Sequence, residues 1–197
     1  MFVTGLVLAA GTSSRFGAPK QLLPYRGRTL LDATLETARG CGFDQLLVTL
    51  GGSAAAVREQ VDLAGVRVVD NPDFGTGCSS SIVTALDAVD AAAGGLVLLL
   101  GDQPGVTAGA VRALVATAAD APLGVCRYDD GPGHPLWFGR AVFGELRSLH
   151  GDKAVWRLLE SGRHRVVQVA VPGPVPPDVD DRAGYEALLA QDAGTAR

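Results

Sequence analysis

The sequence predicts an α/β protein of three layers, in which helices cover both faces of a mainly parallel sheet. Two observations predict this fold class. Short apolar runs typical of strands alternate with longer segments of helical periodicity, and that alternation indicates βαβ units. In addition, the runs VTGLVLAA (residues 3–10) and LVLLL (96–100) almost lack polar residues, as strands do when both of their faces are buried.

Four strands alternate with four helices in the first part of the chain, residues 1–121. The predicted strands are 3–9, 45–50, 66–69 and 96–100, and the predicted helices are 29–38, 53–61, 76–92 and 107–119. Ser53 and Thr107 are residue types that cap helix N-termini. Ligands of such sheets bind beyond the carboxyl ends of the strands. The two unusual loops, AAGTSSRFGAPK (9–20) and GDQPG (101–105), lie at such ends.

The pattern changes in the second part of the chain, after Pro122. Residues 123–127 predict a strand, DDGPGHPLWF (129–138) a turn into another strand, 141–149 and 154–160 two helices, and 166–171 a strand. The proline-rich residues 172–181 predict an extended segment before a helix at about 182–190. Too little chain follows that segment to form another domain. We therefore expect a single domain over residues 1–197.

Composition and charge exclude several classes of protein. With 47% hydrophobic residues, 19% charged residues and a net charge of −4, the chain is typical of globular proteins and offers no basic face for nucleic acid or an anionic membrane. Its apolar runs are far shorter than the roughly 20 residues of a membrane span. The three cysteines form no CxxC pair, which favours free thiols over disulfides or zinc. We expect a cytoplasmic protein without nucleic-acid or membrane partners.

The loop between Ala10 and Lys20 has the residue types of a phosphate site. Its spacing, G-x3-R-x-G-x2-K, is neither a Walker A loop nor a GxGxxG fingerprint. Gly11 allows close backbone approach, and the N–H groups that follow it can hold anionic oxygens. Arg15 offers a planar fork and Lys20 a compact point charge. The alternative is a surface loop whose charges have no ligand.

Candidate carboxylates lie directly after a predicted strand and within the predicted extended segment at residues 172–181. Asp102 lies at the end of the strand at residues 96–100, where it can bind Mg²⁺ together with phosphate oxygens or simply cap a turn. Asp178 and Asp180 share one face if their segment is extended. Asp181 is a candidate N-cap of the last helix, and a solvated turn is the alternative for all three.

Hydroxyl groups and one histidine complete the candidates. The serines of GTGCSSSI (75–82) open a predicted helix, where serine is also common as a cap alone. His134 precedes proline in a glycine-rich turn, which is not the setting of a core histidine, and a plain surface position is its alternative. His150 and His164 show no metal-ligand spacing, and we expect both to face solvent.

Five stretches of the sequence together resemble the MobA-like nucleotidyltransferases, and most closely the branch of molybdenum-cofactor cytidylyltransferases. They are LVLAAGTSSRFGAPKQLLPYRGRTLL (6–31), NPDFGTGCSSSIVTAL (71–86), LLLGDQP (98–104), GHPLWFGRAVFGELRSLHGDKAVWRLL (133–159) and DVDD (178–181). The resemblance spans nearly the whole chain in the family's order. It implies a Rossmann-like fold of the nucleotide-diphospho-sugar transferase type, with an acceptor-binding part at about residues 122–181.

The resemblance also implies roles for individual residues. It implies catalytic roles for Lys20, Arg15 and Asp102, with Asp102 and Asp180 holding Mg²⁺ or alternatively Mn²⁺. The resemblance also implies that His134 and Lys153 lie in the part of the site that binds the acceptor substrate. The implied nucleotide-binding residues are Leu8, Ala9, Ala10, Gly11, Arg15, Lys20, Asn71, Ser79 and Ser80.

The function that the resemblance implies is transfer of CMP from CTP to the phosphate of molybdopterin, with release of pyrophosphate. Ala10 favours CTP, because the GTP branch has glycine at that position and a methyl group crowds a purine more than a pyrimidine. Docking to a molybdenum hydroxylase or to its accessory proteins is a further implied interaction. Three alternatives stay open: a guanylyltransferase, a transferase for sugar phosphates or methylerythritol phosphate, and a non-catalytic nucleotide-binding accessory protein.

Overall fold

A computed structural model describes residues 1–11 and 16–195. Nine strands are present in this part of the chain: β1 (Phe2–Ala9), β2 (Pro24–Tyr25), β3 (Arg28–Thr29), β4 (Gln45–Leu50), β5 (Arg67–Asp70), β6 (Ala93–Leu100), β7 (Leu123–Tyr128), β8 (Gly131–Gly139) and β9 (Val166–Ala170). Seven of them form one sheet in the order β5-β4-β1-β6-β8-β7-β9, and β2 and β3 form a separate hairpin.

The large sheet is mainly parallel. Strand β8 runs antiparallel to both of its neighbours, β6 and β7. Every other neighbouring pair in the sheet is parallel. The predicted α/β fold class with a mainly parallel sheet is therefore confirmed, and β1 and β6 lie side by side at its centre.

Helices cover both faces of this sheet. The described helices are α1 (Leu30–Arg39), α2 (Ala54–Gln60), α3 (Cys78–Leu86), α4 (Ala108–Ala118), α5 (Phe143–Leu146), α6 (Ala154–Glu160) and α7 (Arg182–Thr195). Side chains of α1, α2 and α4 share a buried cluster with Val7 of β1. Side chains of α3, α5 and α6 share another with Leu6. Because neighbouring residues of a strand point to opposite faces, these two clusters define three layers.

Local hydrogen bonds explain where two of the helices begin. Thr29 and Asp32 form a capping box at the start of α1, which satisfies two N–H groups that lack helical partners. Thr107 Oγ1 accepts a hydrogen bond from the Ala110 N–H at 3.1 Å, as its predicted capping role requires. Ser53 occupies the predicted N-cap position of α2, but its side chain makes no capping hydrogen bond. The predicted position of Ser53 is therefore confirmed, and its predicted capping role is wrong.

The predicted helix at residues 76–92 is wrong at both ends. A 3-10 turn, Phe74–Thr76, comes first, and Gly77 with φ +109° separates it from α3. A left-handed residue interrupts helical hydrogen bonding, so α3 begins only at Cys78. At the other end, Gln45 bonds the Ala88 carbonyl and the Asp90 N–H. These bonds hold the chain in a turn, and β6 begins at Ala93 rather than at residue 96.

Other boundaries differ in the second part of the chain. Strand β8 already begins at Gly131, because that residue pairs with Tyr128 of β7, so His134 lies in a strand and not in the predicted turn. The helix predicted at 141–149 is a 3-10 turn, Arg140–Val142, followed by the short α5. Helix α7 extends to Thr195. Among the described residues, no helix combines the length and the apolar composition of a membrane span.

Candidate active site

A cleft of about 390 Å³ opens at the carboxyl ends of the two central strands. Leu8 of β1 pairs with Leu100 of β6, so the loops that follow these strands leave the sheet next to each other. Residues 8–11 and 100–102 line one wall of the cleft, which we call the strand-end wall. The lining residues from elsewhere in the chain, which we call the loop wall, are Phe74, Gly75, Gly77, Cys78, Asp152 and Asp180. Lys20, Gln21 and Ser81 complete the lining.

Gln21 holds the start of the glycine loop. Its side chain is 3% exposed, and its Nε2 donates hydrogen bonds to the carbonyl oxygens of Ala9 at 2.7 Å and Gly11 at 3.1 Å. A buried amide of this kind fixes the backbone that it bonds. Sequence reasoning missed Gln21, although its place directly after Lys20 was a usable signal. Arg15, for which we predict a phosphate contact, lies outside the described residues.

Lys20 brings the two predicted carboxylates together. Its Nζ donates a hydrogen bond to Asp102 Oδ2 and lies 3.3 Å from Asp180 Oδ1. The side chains of Lys20 and Asp102 are 15% and 16% exposed, whereas that of Asp180 is 61% exposed. Residues far apart in the sequence therefore meet at one point of the cleft.

For both Lys20 and Asp102, burial and the neighbouring opposite charge shift the pKa in opposite directions. Burial alone lowers the pKa of Lys20, but the carboxylates of Asp102 and Asp180 outweigh it and the pKa is raised, so the lysine stays protonated at neutral pH. Burial raises the pKa of Asp102, the ion pair with Lys20 opposes that shift, and the negative charge of Asp178 adds to it. Acidic groups outnumber the lysine here, so a further cation beside Asp102 is electrostatically favoured.

The arrangement fits a hard divalent cation. Asp102 and Asp180 both reach Lys20 Nζ, and carboxylates that converge on one small cationic group can converge on a metal ion. Within the described ranges, no three His, Cys, Asp or Glu side chains are grouped to hold a metal. Mg²⁺ is commonly bound by one or two carboxylates together with substrate phosphates and water. Asp102 and Asp180 match that donor set.

Asn71 and two of the serines form a network beside the cleft. Asn71 Nδ2 donates to the hydroxyl oxygens of Ser80 and Ser81, each at 2.9 Å, and Asn71 Oδ1 accepts from the Asp73 N–H. This network fixes the loop between β5 and α3. Ser81 lines the cleft, whereas Ser79 and Ser80 line a separate groove. The predicted nucleotide contacts of Asn71, Ser79 and Ser80 stay predictions.

The two predicted acceptor residues do not line the cleft. His134 is half-buried in β8, with its ring edge-on to Trp156 at a centroid distance of 5.7 Å. Burial lowers the pKa of His134 to about 4. Lys153 is exposed and directly precedes α6. Their role toward an acceptor stays a prediction.

The prediction for His164 was wrong, because its Nε2 contacts Glu145 Oε1 rather than solvent alone. His150 is exposed, as expected.

Asp152 is a cleft residue that sequence reasoning did not identify. Its Oδ1 accepts a hydrogen bond from the Cys78 N–H at 2.9 Å, and its carbonyl oxygen lies 3.1 Å from Cys78 Sγ. A Cβ on Gly77 would stand 2.9 Å from Asp152 Oδ1, so the contact depends on glycine there. Asp152 thus supplies a cap for α3 from a distant loop.

Comparison with protein families gives a match over most of the chain. Residues 5–167 match the family described as the MobA-like NTP transferase domain. Nicotine blue oxidoreductase of Paenarthrobacter nicotinovorans is 36% identical over 142 residues, which are 68% of this chain and 69% of that protein. Purine catabolism protein PucB of Bacillus subtilis is 31% identical over 173 residues, covering 82% of each protein.

Solved structures extend the likeness to the whole fold. A crystal structure of Rv0371c from Mycobacterium tuberculosis has a TM-score of 0.92 and 53% sequence identity, covering 96% of this chain and 98% of that one. A crystal structure of Rv0371c in complex with manganese has a TM-score of 0.89 and 51% identity, covering 96% and 99%. A protein of this fold and similar sequence therefore binds a divalent cation.

Proposed function

The chain belongs to the MobA-like NTP transferase family, and on that premise we propose that it transfers CMP from CTP to the phosphate of a molybdopterin-type acceptor. An oxygen of the acceptor phosphate attacks the α-phosphorus of CTP. The bond between that phosphorus and the bridging oxygen breaks, and pyrophosphate leaves with the bonding electrons. Both reactants are anions, so the protein must neutralise charge and align the attack.

The observation that carries the proposal is the convergence of Lys20, Asp102 and Asp180 in the cleft. A protonated lysine stabilises negative charge on the transferring phosphoryl group and on the leaving pyrophosphate. The adjacent backbone at Gly11, which Gln21 holds in place, can approach phosphate oxygens closely. We assign Arg15 a second phosphate contact by family resemblance.

Asp102 and Asp180 are the residues that would hold Mg²⁺ or Mn²⁺. Such an ion, when bound, neutralises phosphate charge and orients the two reactants. The manganese complex of Rv0371c supports a divalent cation in this protein also. The acceptor phosphate needs no general base, because a phosphate monoester has a second pKa near 6 and is already ionised at pH 7.

The choice of CTP rests on Ala10. This residue is buried and lines the cleft, where the GTP branch of the family carries glycine. A methyl group there restricts a purine more than a pyrimidine. The acceptor is proposed from the resemblance in residues 133–159, which include His134 and Lys153. A product of this kind must reach an apoenzyme, so docking to a molybdenum hydroxylase or an accessory protein belongs to the proposal.

The test measures pyrophosphate release with each of the four common NTPs, Mg²⁺ and molybdopterin. We expect pyrophosphate to be released faster with CTP than with GTP. Without an acceptor we expect no release. An equal or greater rate with GTP would overturn the choice of base. Release only with a sugar phosphate or methylerythritol phosphate would reassign the acceptor, and no release with any combination would favour the non-catalytic alternative. Asp180→Asn should reduce this release, and Asp120→Asn, at an exposed carboxylate that does not line the cleft, is its control.

A further inference from the structure

Asp180 lies where no regular secondary structure holds it. It belongs to the segment between β9 and α7, and its side chain is 61% exposed. Yet the proposed chemistry requires this carboxylate to stay beside Lys20 and Asp102. Some other contact must therefore set the position of the segment.

Gln103 makes such a contact. This residue follows Asp102 directly and is 3% exposed. Its Nε2 donates a hydrogen bond to the carbonyl oxygen of Pro176, four residues before Asp180 in the printed sequence. Only the amide nitrogen can donate to a carbonyl, so this bond also fixes which way the amide points.

Two neighbouring contacts show that the segment is docked at the turn after β6. The Val179 N–H donates to the Asp102 carbonyl oxygen at 3.0 Å. The Val179 side chain is fully buried and packs in a cluster with Tyr25, Leu30 and Leu188. A Cβ on Gly105 would lie 3.0 Å from Pro176 Cβ, so the two chain segments pass very closely.

The other polar atom of the Gln103 side chain, Oε1, indicates why an amide is present at this position. Gln103 Oε1 is buried and has no hydrogen-bond partner among the described residues. An unpaired buried acceptor is unfavourable, and an apolar side chain of similar length would avoid it. An amide at this position is therefore explained by the bond that its nitrogen makes to Pro176.

We infer that Gln103 is a positioning residue that holds residues 176–179 so that Asp180 meets Lys20 and Asp102. The inference rests on the proposed function of Asp180. Gln103 does not line the cleft, and it acts by limiting where the Asp180 carboxylate can lie. Loss of its hydrogen bond should weaken cation binding in the same way as loss of Asp180 and should leave Asp102 in place.

The experiment compares Gln103→Met, Asp180→Asn and the double variant with the wild type. Bound Mn²⁺ in the presence of CTP is measured from the electron paramagnetic resonance signal of free Mn²⁺, corrected for the Mn²⁺ that CTP chelates in a protein-free sample. Gln103→Met keeps the length of the side chain and removes both polar atoms. We expect about tenfold weaker Mn²⁺ binding, as for other residues that orient a metal ligand. The double variant should be no weaker than Asp180→Asn alone, because the two residues act through one carboxylate.

Gln103→Leu is the second variant in case Gln103→Met does not fold. It is close to glutamine in shape but has no polar hydrogen to donate, so it should lose Mn²⁺ affinity to a similar extent. Hydrogen exchange at the Val179 amide should also become faster in either variant. Asp120→Asn, at an exposed carboxylate that does not line the cleft, is the control and should bind Mn²⁺ within about twofold of the wild type, as expected for a charge outside the site.

Two outcomes would overturn the inference: wild-type Mn²⁺ affinity in both Gln103 variants, or losses that add in the double variant. Failure of the proposed function is distinguishable from these. A wild type that binds Mn²⁺ with CTP but releases no pyrophosphate with any acceptor would contradict the transfer reaction and leave the role of Gln103 in cation binding intact.

Discussion

The two walls of the cleft are held in place by different kinds of interaction. The strand-end wall continues from β1 and β6, whose backbones are joined by a parallel ladder from Val3 to Leu8. The loop wall comes from three separate connections, and individual side chains hold it together with one backbone bond, from the Val179 N–H to the Asp102 carbonyl. The Cys78 N–H is bonded by Asp152, and the segment that carries Asp180 is bonded by Gln103 through Pro176.

Because of this difference, we expect substitutions at the two walls to have different effects. A substitution on the strand-end wall changes the chemical group and leaves its position, because the ladder holds the backbone. A substitution among the contacts of the loop wall leaves the reacting groups unchanged and alters where they lie. The first kind should reduce turnover strongly, and the second should weaken binding by smaller factors.

The largest expected effect comes from Asp102→Asn on the strand-end wall. Asparagine keeps the shape of the side chain but loses the charge that binds a cation and pairs with Lys20. We expect kcat to fall by about 10²–10³-fold, as when one preorganised electrostatic group is removed from an active site. The midpoint of thermal unfolding should stay within about 3 °C of the wild type.

Transfer at the wild-type rate by Asp102→Asn would show that this carboxylate only caps a turn. A large drop in the unfolding midpoint would instead assign it a structural role. Ser148→Ala, at an exposed residue outside the cleft, is a control for preparation effects.

Lys20→Arg tests the same site with the charge retained. Arginine replaces a compact ammonium by a larger planar group, which does not fit between Asp102 and Asp180 in the same way. We expect kcat to fall about tenfold, or ~1.4 kcal/mol in activation free energy, with little change in KM for CTP. The measurement is steady-state pyrophosphate release. Full activity would mean that any cation suffices at this position.

Asp152→Ala tests the loop wall. Removing the carboxylate leaves the Cys78 N–H without its partner, which should destabilise the protein by about 1 kcal/mol. We expect KM for CTP to rise a few-fold with kcat nearly unchanged, since the loop shifts while the reacting groups stay. Asp152→Asn keeps an acceptor oxygen and should restore most of the affinity. An unchanged KM in Asp152→Ala would show that the loop wall does not depend on this contact.

The smallest expected effect concerns His134, which lies in the sheet and on neither wall. Burial holds its pKa at about 4 in the folded protein, against about 6.5 in the unfolded chain. Between these values the unfolded chain binds more protons, so stability is lost as pH falls from about 6.5 towards 4. The contribution of His134 to the free energy of unfolding should fall by about 0.7 kcal/mol from pH 7 to pH 6.

Denaturant unfolding at both pH values, compared between the wild type and His134→Gln, isolates this contribution. His150→Gln is the matched control for replacing a histidine by glutamine, because His150 is exposed. An identical pH dependence in His134→Gln and the wild type would show that His134 is not buried in its neutral form.

The fold could be predicted where residue patterns report local constraints. The apolar strands β1 and β6 were found because both of their faces are buried. The start of α4 was indicated by Thr107, whose hydroxyl accepts a hydrogen bond from an N–H group of the first helical turn. The predicted helix at 76–92 failed because its limits are set by Gly77 and by bonds from Gln45, a distant residue.

Within the candidate site, the sequence alone determined that Ala10, Lys20 and Asp102 belong together. The carboxyl ends of parallel strands meet at one edge of a sheet, so residues after two such strands meet as well. Only the tertiary structure showed which side chains hold the cleft in place. Asp152, Gln21 and Gln103 take their roles from single hydrogen bonds to distant backbone atoms. Such bonds leave no periodicity in the sequence, because they depend on where the folded chain brings the partner atom.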